Sequence, residues 1–226
     1  MLFNRTPLGF GRTIEQPSSE LVRNTLGLIG ASMEDALRYG GELTRAAIGA
    51  MNIRGDRKYL VVDSKVHMLM PGWTPAIPGW HTDGVPRGDH KHAKSNRDVP
   101  NLDAQVEIEE SGRGTRFHML VTGVGCLTEF VNGPLELTRN PSWDTTALYR
   151  DITVQVNDLK PPTISSPTCT AIDFDWWDVH RGVPATVNEW RFFIRVSETD
   201  LDAPSTDLRR VIRTHTQVYA PNDFGW

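Results

Sequence analysis

The chain has little of three things that would quickly narrow a function. It holds only 2 cysteines, Cys126 and Cys169, in 226 residues. So sparse a set excludes a disulfide framework or a thiolate cluster, and reduced thiols in a cytoplasmic setting are expected. No apolar run approaches the ~20 residues of a membrane helix, and Met1 to Thr13 lacks the apolar centre of a signal peptide. The net charge is only −4, which leaves no basic footprint for nucleic acid or an anionic membrane. Repeats and low-complexity tracts are missing too. The 38% hydrophobic and 23% charged residues that are present suit a soluble globular protein, one domain spanning 1–226.

Residues 1–16 lack periodicity and read as an extended arm. Pro17-Ser18-Ser19-Glu20 opens a helix, with a serine cap and an acid in the first turn; Leu21, Thr25, Leu28 and Ile29 carry it to Gly30. A second helix begins after Ser32 and runs to Met51, and Gly40-Gly41 is placed to split it in two. The helical extension therefore occupies 1–55. From 56 to 200 the texture changes to short β-rich runs between turn residues: Tyr59–Asp63, Lys65–Met70, Ile77–Asp83, Gln105–Glu109, Phe117–Thr122, Leu127–Val131, Ile152–Val156, Thr168–Phe174 and Trp190–Ser197. This pattern predicts a mainly β fold with α additions, a jelly roll whose N-terminal helices pack on one sheet. In the tail, 201–226, a short helix is expected over Ser205–Arg213 and an edge strand over Thr216–Tyr219. Two long loops, Gly84–Asn101 and Leu137–Leu148, interrupt the strands.

The chemistry concentrates in Trp80-His81-Thr82-Asp83-Gly84. Side chains two apart on an extended segment share a side, so His81 and Asp83 offer two ligands to one ion. A distant nitrogen, best supplied by His180 in Asp178-Val179-His180-Arg181, would complete two histidines and a carboxylate around one metal. A His-x-Asp triplet alone arises by chance roughly half a time in such a chain, so its surroundings must carry the argument. The last strand supplies them. By parity, Trp190, Phe192, Ile194 and Val196 form an apolar face, while Arg191, Phe193, Arg195 and Ser197 form the other. Arginines turned inward need an anion, and a guanidinium grips a carboxylate in bidentate fashion.

His81-x-Asp83, the distal His180, and Arg191 eleven residues further on resemble the Fe(II)/2-oxoglutarate-dependent dioxygenase superfamily. The resemblance covers roughly residues 60–200, and it implies a double-stranded β-helix. It also implies that His81, Asp83 and His180 bind Fe(II) and carry catalysis, that 2-oxoglutarate and O2 are co-substrates, and that a substrate is hydroxylated with release of succinate and CO2. Arg191 is placed to hold the distal carboxylate of 2-oxoglutarate. Arg195 resembles a second arginine of the taurine-dioxygenase-like branch, which helps bind an anionic substrate. Family members commonly follow the co-substrate arginine with x-Ser or x-Thr. Arg191 is followed by x-Phe193, whereas Arg195-Val196-Ser197 fits; spacing favours Arg191, and the assignment between the two stays open.

Other titratable groups read more plainly. His67, His118 and His215 are expected to be core or surface histidines, although the strand of His118 is placed to line a pocket. His90-x-His92 lies with Arg87, Lys91, Lys94 and Arg97 in a solvated loop; recruiting an anionic substrate is its alternative role. Asp173, Asp175 and Asp178 suit a strand-end turn, and Arg209, Arg210 and Arg213 a basic helix face. Trp80 and Asp178 are the neighbours placed to orient the ligands. Partners are therefore a small-molecule or side-chain substrate, with neither nucleic acid nor membrane. The competing readings are a non-enzymatic jelly-roll binding or assembly module with a structural or vestigial metal site, and a cupin-type metal enzyme that does not use 2-oxoglutarate.

Overall fold

A computed structural model of the chain describes residues 1–88, 99–145, 147–214 and 218–220. The fold is mainly β, built from open antiparallel sheets with helices on both sides of the larger one. In chain order the strands are β1 (Leu2–Phe3), β2 (Gly9–Thr13), β3 (Gly27–Ser32), β4 (Tyr59–Leu69), β5 (Arg116–Val121), β6 (Thr128–Val131), β7 (Leu135–Glu136), β8 (Thr163–Ser165), β9 (Thr170–Asp175), β10 (His180–Gly182), β11 (Glu189–Thr199) and β12 (Ile212–Arg213). The helices are α1 (Ser19–Asn24), α2 (Met33–Tyr39), α3 (Gly41–Ala50), α4 (Leu102–Glu110), α5 (Leu148–Leu159) and α6 (Leu208–Val211). The large sheet runs β12-β3-β4-β11-β5-β9-β2, the smaller one β10-β6-β8, and β1 pairs with β7.

At its centre β11 lies antiparallel to both β4 and β5. The expected parity holds: Phe192, Ile194 and Val196 are fully buried beneath α1, α2 and α3, together with Val62 and Val66 of β4. Burying side chains of this size contributes about 1.5–3 kcal/mol each, which is what pins the N-terminal helices to one face. The opposite face of the same strands looks toward the smaller sheet, α4 and α5. Apolar residues at every second position thus assign the intervening polar residues to the interior between the two sheets.

The serine cap of the first helix forms as expected, with Ser18 Oγ accepting from Leu21 N at 3.1 Å; Ser32, where the second helix begins, caps it in the same way by accepting from Asp35 N at 3.0 Å. The second helix is divided at Gly40, where α2 ends and α3 begins. Several expectations fail, each for a local reason. The first helix stops at Asn24 rather than Gly30, because 27–32 forms β3 and pairs with β4, turning Leu28 and Ala31 inward. Gln105–Glu109 is helix, not strand. Asn101 Oδ1 accepts from Ala104 N at 2.9 Å, and good helix formers follow this cap. Ile152–Val156 belongs to α5, whose buried Leu148, Tyr149, Ile152 and Val156 follow a helical stripe that outweighs its β-branched residues. Tyr59–Asp63 and Lys65–Met70 merge into the single strand β4, because Ser64 Oγ accepts from Leu28 N inside the sheet at 3.0 Å.

The 137–148 connection holds a 3-10 turn over Pro141–Asp144. The C-terminal helix is shorter than expected, at Leu208–Val211. Tyr219 forms a single bridge to Thr74, while Thr216 and His215 lie outside the described residues, as do His90, Lys91, His92, Lys94 and Arg97. Cys126 and Cys169 are buried and unpaired with each other, and among the described residues no helix is long and apolar enough to cross a membrane.

Candidate metal centre

Ile77–Asp83 forms no regular strand. His81 alone bridges His180 at the free edge of β10, with N–H to carbonyl bonds of 2.9 Å in both directions. That reciprocal pair puts two histidines distant in sequence directly opposite each other, with ring centroids 4.6 Å apart. Asp83 follows two residues later, and ligand atoms of His81, Asp83 and His180 all lie within 4.8 Å of one another. Among the described residues this is the one group of three or more potential ligands close enough to share an ion. Gly84, at φ +68°, lets the chain turn away; a Cβ there would stand 2.6 Å from the Phe117 ring.

The donor set fits a metal. The Nδ1 of His81 faces the Gly79 carbonyl at 3.2 Å and that of His180 the Asp178 carbonyl at 2.8 Å. Nδ1–H donation to these carbonyls orients the two rings and favours Nε2 as the nitrogen that would ligate. Asp178 meets His180 through its backbone carbonyl rather than its carboxylate. Trp80 is buried and engaged elsewhere, its indole N–H donating to Asn157 at 3.2 Å. Burial, reinforced by the charge of His180, pushes His81 down to about 4. Burial works to raise the Asp83 carboxyl, but the Arg195 charge and the His180 hydrogen bond hold it well below the usual carboxylate range. His180 moves up against its own burial, because the Asp83 carboxylate lies 3.6 Å from its Nε2. Deprotonated Asp83 and neutral His81 are the forms that ligate, and an ion reaching His180 competes with a proton.

These ligands line a cavity of about 310 Å³ whose floor is the large sheet. Three residues of β4 and three of β11 pave it in register: Asp63 opposite Arg195, Lys65 opposite Phe193, and His67 opposite Arg191. Arg191 is 2% exposed. Its Nε–H donates to the Cys126 carbonyl at 2.7 Å, and among the described residues no carboxylate pairs with it. Burial accordingly pushes its pKa down. Arg195 differs. It is ion-paired with Asp83 and also reaches Asp63 Oδ2 at 3.2 Å, so its guanidinium is occupied by two carboxylates of the cavity. Ser197 is buried further along β11 and does not line the cavity.

Comparison of the chain with protein-family models and with curated proteins gives no match. The site is therefore read from its own chemistry.

His118 is a core histidine, as expected. It lies on the helix-covered face, between Asp173 Oδ1 and Glu198 Oε1, each at 2.7 Å, while its neighbour Met119 lines the cavity. Asp175 and Asp178 form the expected strand-end turn: Asp175 accepts from Trp177 N and Asp178 from Asp175 N. His67 and Lys65 are the cavity residues that sequence reasoning missed. Their signal was parity, since Asp63, Lys65 and His67 alternate with Val62, Ser64 and Val66, but dividing the strand at Ser64 concealed it.

Proposed function

We propose that this protein is an Fe(II)- and 2-oxoglutarate-dependent dioxygenase that hydroxylates a small-molecule or side-chain substrate, with release of succinate and CO2. The observation that carries the proposal is one cavity holding both a two-histidine, one-carboxylate triad and, on its floor, a buried arginine without a carboxylate. That triad with open positions is the donor set of non-haem Fe(II) oxygenases, and an unpaired buried guanidinium calls for an anion. Bound Fe(II), with 2-oxoglutarate and O2, supplies the oxidative chemistry.

The protein's own residues position and shield. His81, Asp83 and His180 hold the ion, and the Gly79 and Asp178 carbonyls fix the two imidazoles. Arg191 receives the distal carboxylate of 2-oxoglutarate. Arg195 sets the orientation of Asp83, which favours Arg191 over Arg195 as the co-substrate anchor. Phe130 and Phe174, with ring centroids 5.2 and 5.3 Å from that of His180, keep water from that side.

The order in which the chain visits the sheets supports a double-stranded β-helix. It passes from β4 in the large sheet to the His81 bridge on the small one, back to β5, to β6 and β8, then to β9, β10 and β11. Successive strands alternating between two facing sheets are the mark of a jelly roll. Two buried free thiols suit a reducing cytoplasm.

The test is anaerobic titration of the protein with Fe(II) and then 2-oxoglutarate, followed by the weak visible charge-transfer band of the chelate. A band that needs both components and vanishes in His81→Ala is expected. Tight Fe(II) binding without a band refutes co-substrate chelation and points to a cupin-type metal enzyme. No metal binding at all points to a non-enzymatic binding module.

A further inference from the structure

The cavity floor carries more positive charge and more unused donors than the described residues satisfy. Lys65, Arg191 and Arg195 face Asp63 and Asp83, and both carboxylates are already engaged by Arg195. Lys65 forms no ion pair among the described residues, although it is largely withdrawn from water; burial, and then the charge of Arg195, lower its pKa. Beside it His67 is 1% exposed, and neither ring nitrogen has a hydrogen-bond partner among the described residues. The Pro75 carbonyl comes close enough to favour the protonated ring, though neither nitrogen meets full hydrogen-bond geometry with it.

A histidine kept only for packing would satisfy at least one nitrogen or be replaced by an apolar residue, because an unmade buried hydrogen bond costs stability. This one stands directly across the strand pair from Arg191. The Arg191 Nε is fixed on the Cys126 carbonyl, so its terminal nitrogens are the ones left for a ligand.

We propose that Lys65, His67 and Arg191 form a carboxylate-binding corner, in which His67 donates a hydrogen bond that positions the anion on Arg191. A planar acceptor with two oxygens answers both donors: one oxygen on the guanidinium of β11, the other on the imidazole of β4. Lys65 adds a second cation beside them. The imidazole is a directional donor that adds no third charge, so it selects the plane of the carboxylate rather than merely its sign. Under the dioxygenase reading this carboxylate is the distal group of 2-oxoglutarate. The corner is built from floor residues alone and does not need the metal, so His67 is a positioning residue whose role is separable from that reading.

The experiment is isothermal titration of the full-length, metal-free protein with succinate, and separately with inorganic phosphate. Wild type is expected to take up succinate in preference to phosphate. His67→Leu should weaken succinate binding about 10-fold, the loss of one charge-assisted hydrogen bond. His67→Asn, which keeps a donor, should recover part of that loss; a purely structural role would give no such rescue. Lys65→Met should weaken binding and flatten its dependence on salt, and it serves as a second route if the His67 variants fold poorly. Wild-type affinity in His67→Leu overturns the proposal, as does phosphate binding more tightly than succinate, or no succinate binding to folded wild type. Succinate uptake without an Fe(II)/2-oxoglutarate chelate band would sink the dioxygenase reading and leave the corner standing. A normal band with unchanged His67 variants would do the reverse.

Discussion

Replacing His67 by leucine should make the protein more resistant to acid, by an amount the structure sets. Burial, followed by the charges of Arg191 and Lys65, pushes His67 down to about 2, against 6.5 for an ordinary histidine. Between these values the unfolded chain binds a proton at this position and the folded chain does not. Stability from His67 is therefore fully present above the unfolded value and falls as the pH drops through it, levelling off only near the folded value. Each pH unit well below the unfolded value is equivalent to about 1.4 kcal/mol, and the slope is half that at the unfolded value itself, so lowering the pH from about 6.5 to about 4.5 should cost wild type about 2.3 kcal/mol through this one group. His81, pushed down to about 4, acts in the same direction but is common to both proteins and cancels in the comparison. Urea unfolding of wild type and His67→Leu at the two pH values measures the difference, with equal denaturant slopes as the check on two-state behaviour. Losses that agree to within about 0.5 kcal/mol would refute the claim that His67 is buried in its neutral form.

Three further outcomes follow from the site and its supports. Mn(II) at about 100 times its dissociation constant should stabilise wild type by about 2.7 kcal/mol and shift its thermal midpoint upward; His180→Ala should abolish the shift. Arg191→Met should weaken 2-oxoglutarate by roughly 100-fold, the equivalent of about 2.7 kcal/mol. Metal affinity should be unchanged, as read from the chelate band against Fe(II) binding alone. Glu198 is fully buried, accepts from His118, Arg54 N and Gly55 N at 2.7–2.9 Å, and lies 3.3 Å from Arg116. Glu198→Ala should cost about 3–5 kcal/mol in urea unfolding because it strands charge in the sheet, with metal binding retained in the folded protein.

Much of the β core was legible because its signals are local. The period-two burial of β11, the strands about Phe117 and Ile172, the serine cap of α1, and the break at Gly40-Gly41 depend on residues a few positions apart. The errors fell where a short stretch supports two periodicities. Val106 and Ile108 alternate as a strand would, and Ile152 to Val156 is rich in β-branched residues. Burial against the core in a helical stripe decided both. In 27–32 the decisive partner was β4, more than thirty residues away, and nothing within the segment announces it.

For the site, sequence alone determined which groups were available: a His-x-Asp pair, a distal histidine, and two arginines of equal parity on one strand. Those identities limit the chemistry, because only certain side chains ligate an ion or grip a carboxylate. Tertiary structure decided which of them act together. One antiparallel bridge brings His180 onto His81, across a sequence separation no local pattern encodes. The pairing of β4 with β11 supplies Asp63 to Arg195 and leaves Arg191 without a carboxylate beside His67. Parity along β11 makes the two arginines equivalent, and only the cross-strand partners, which depend on register, give them different surroundings.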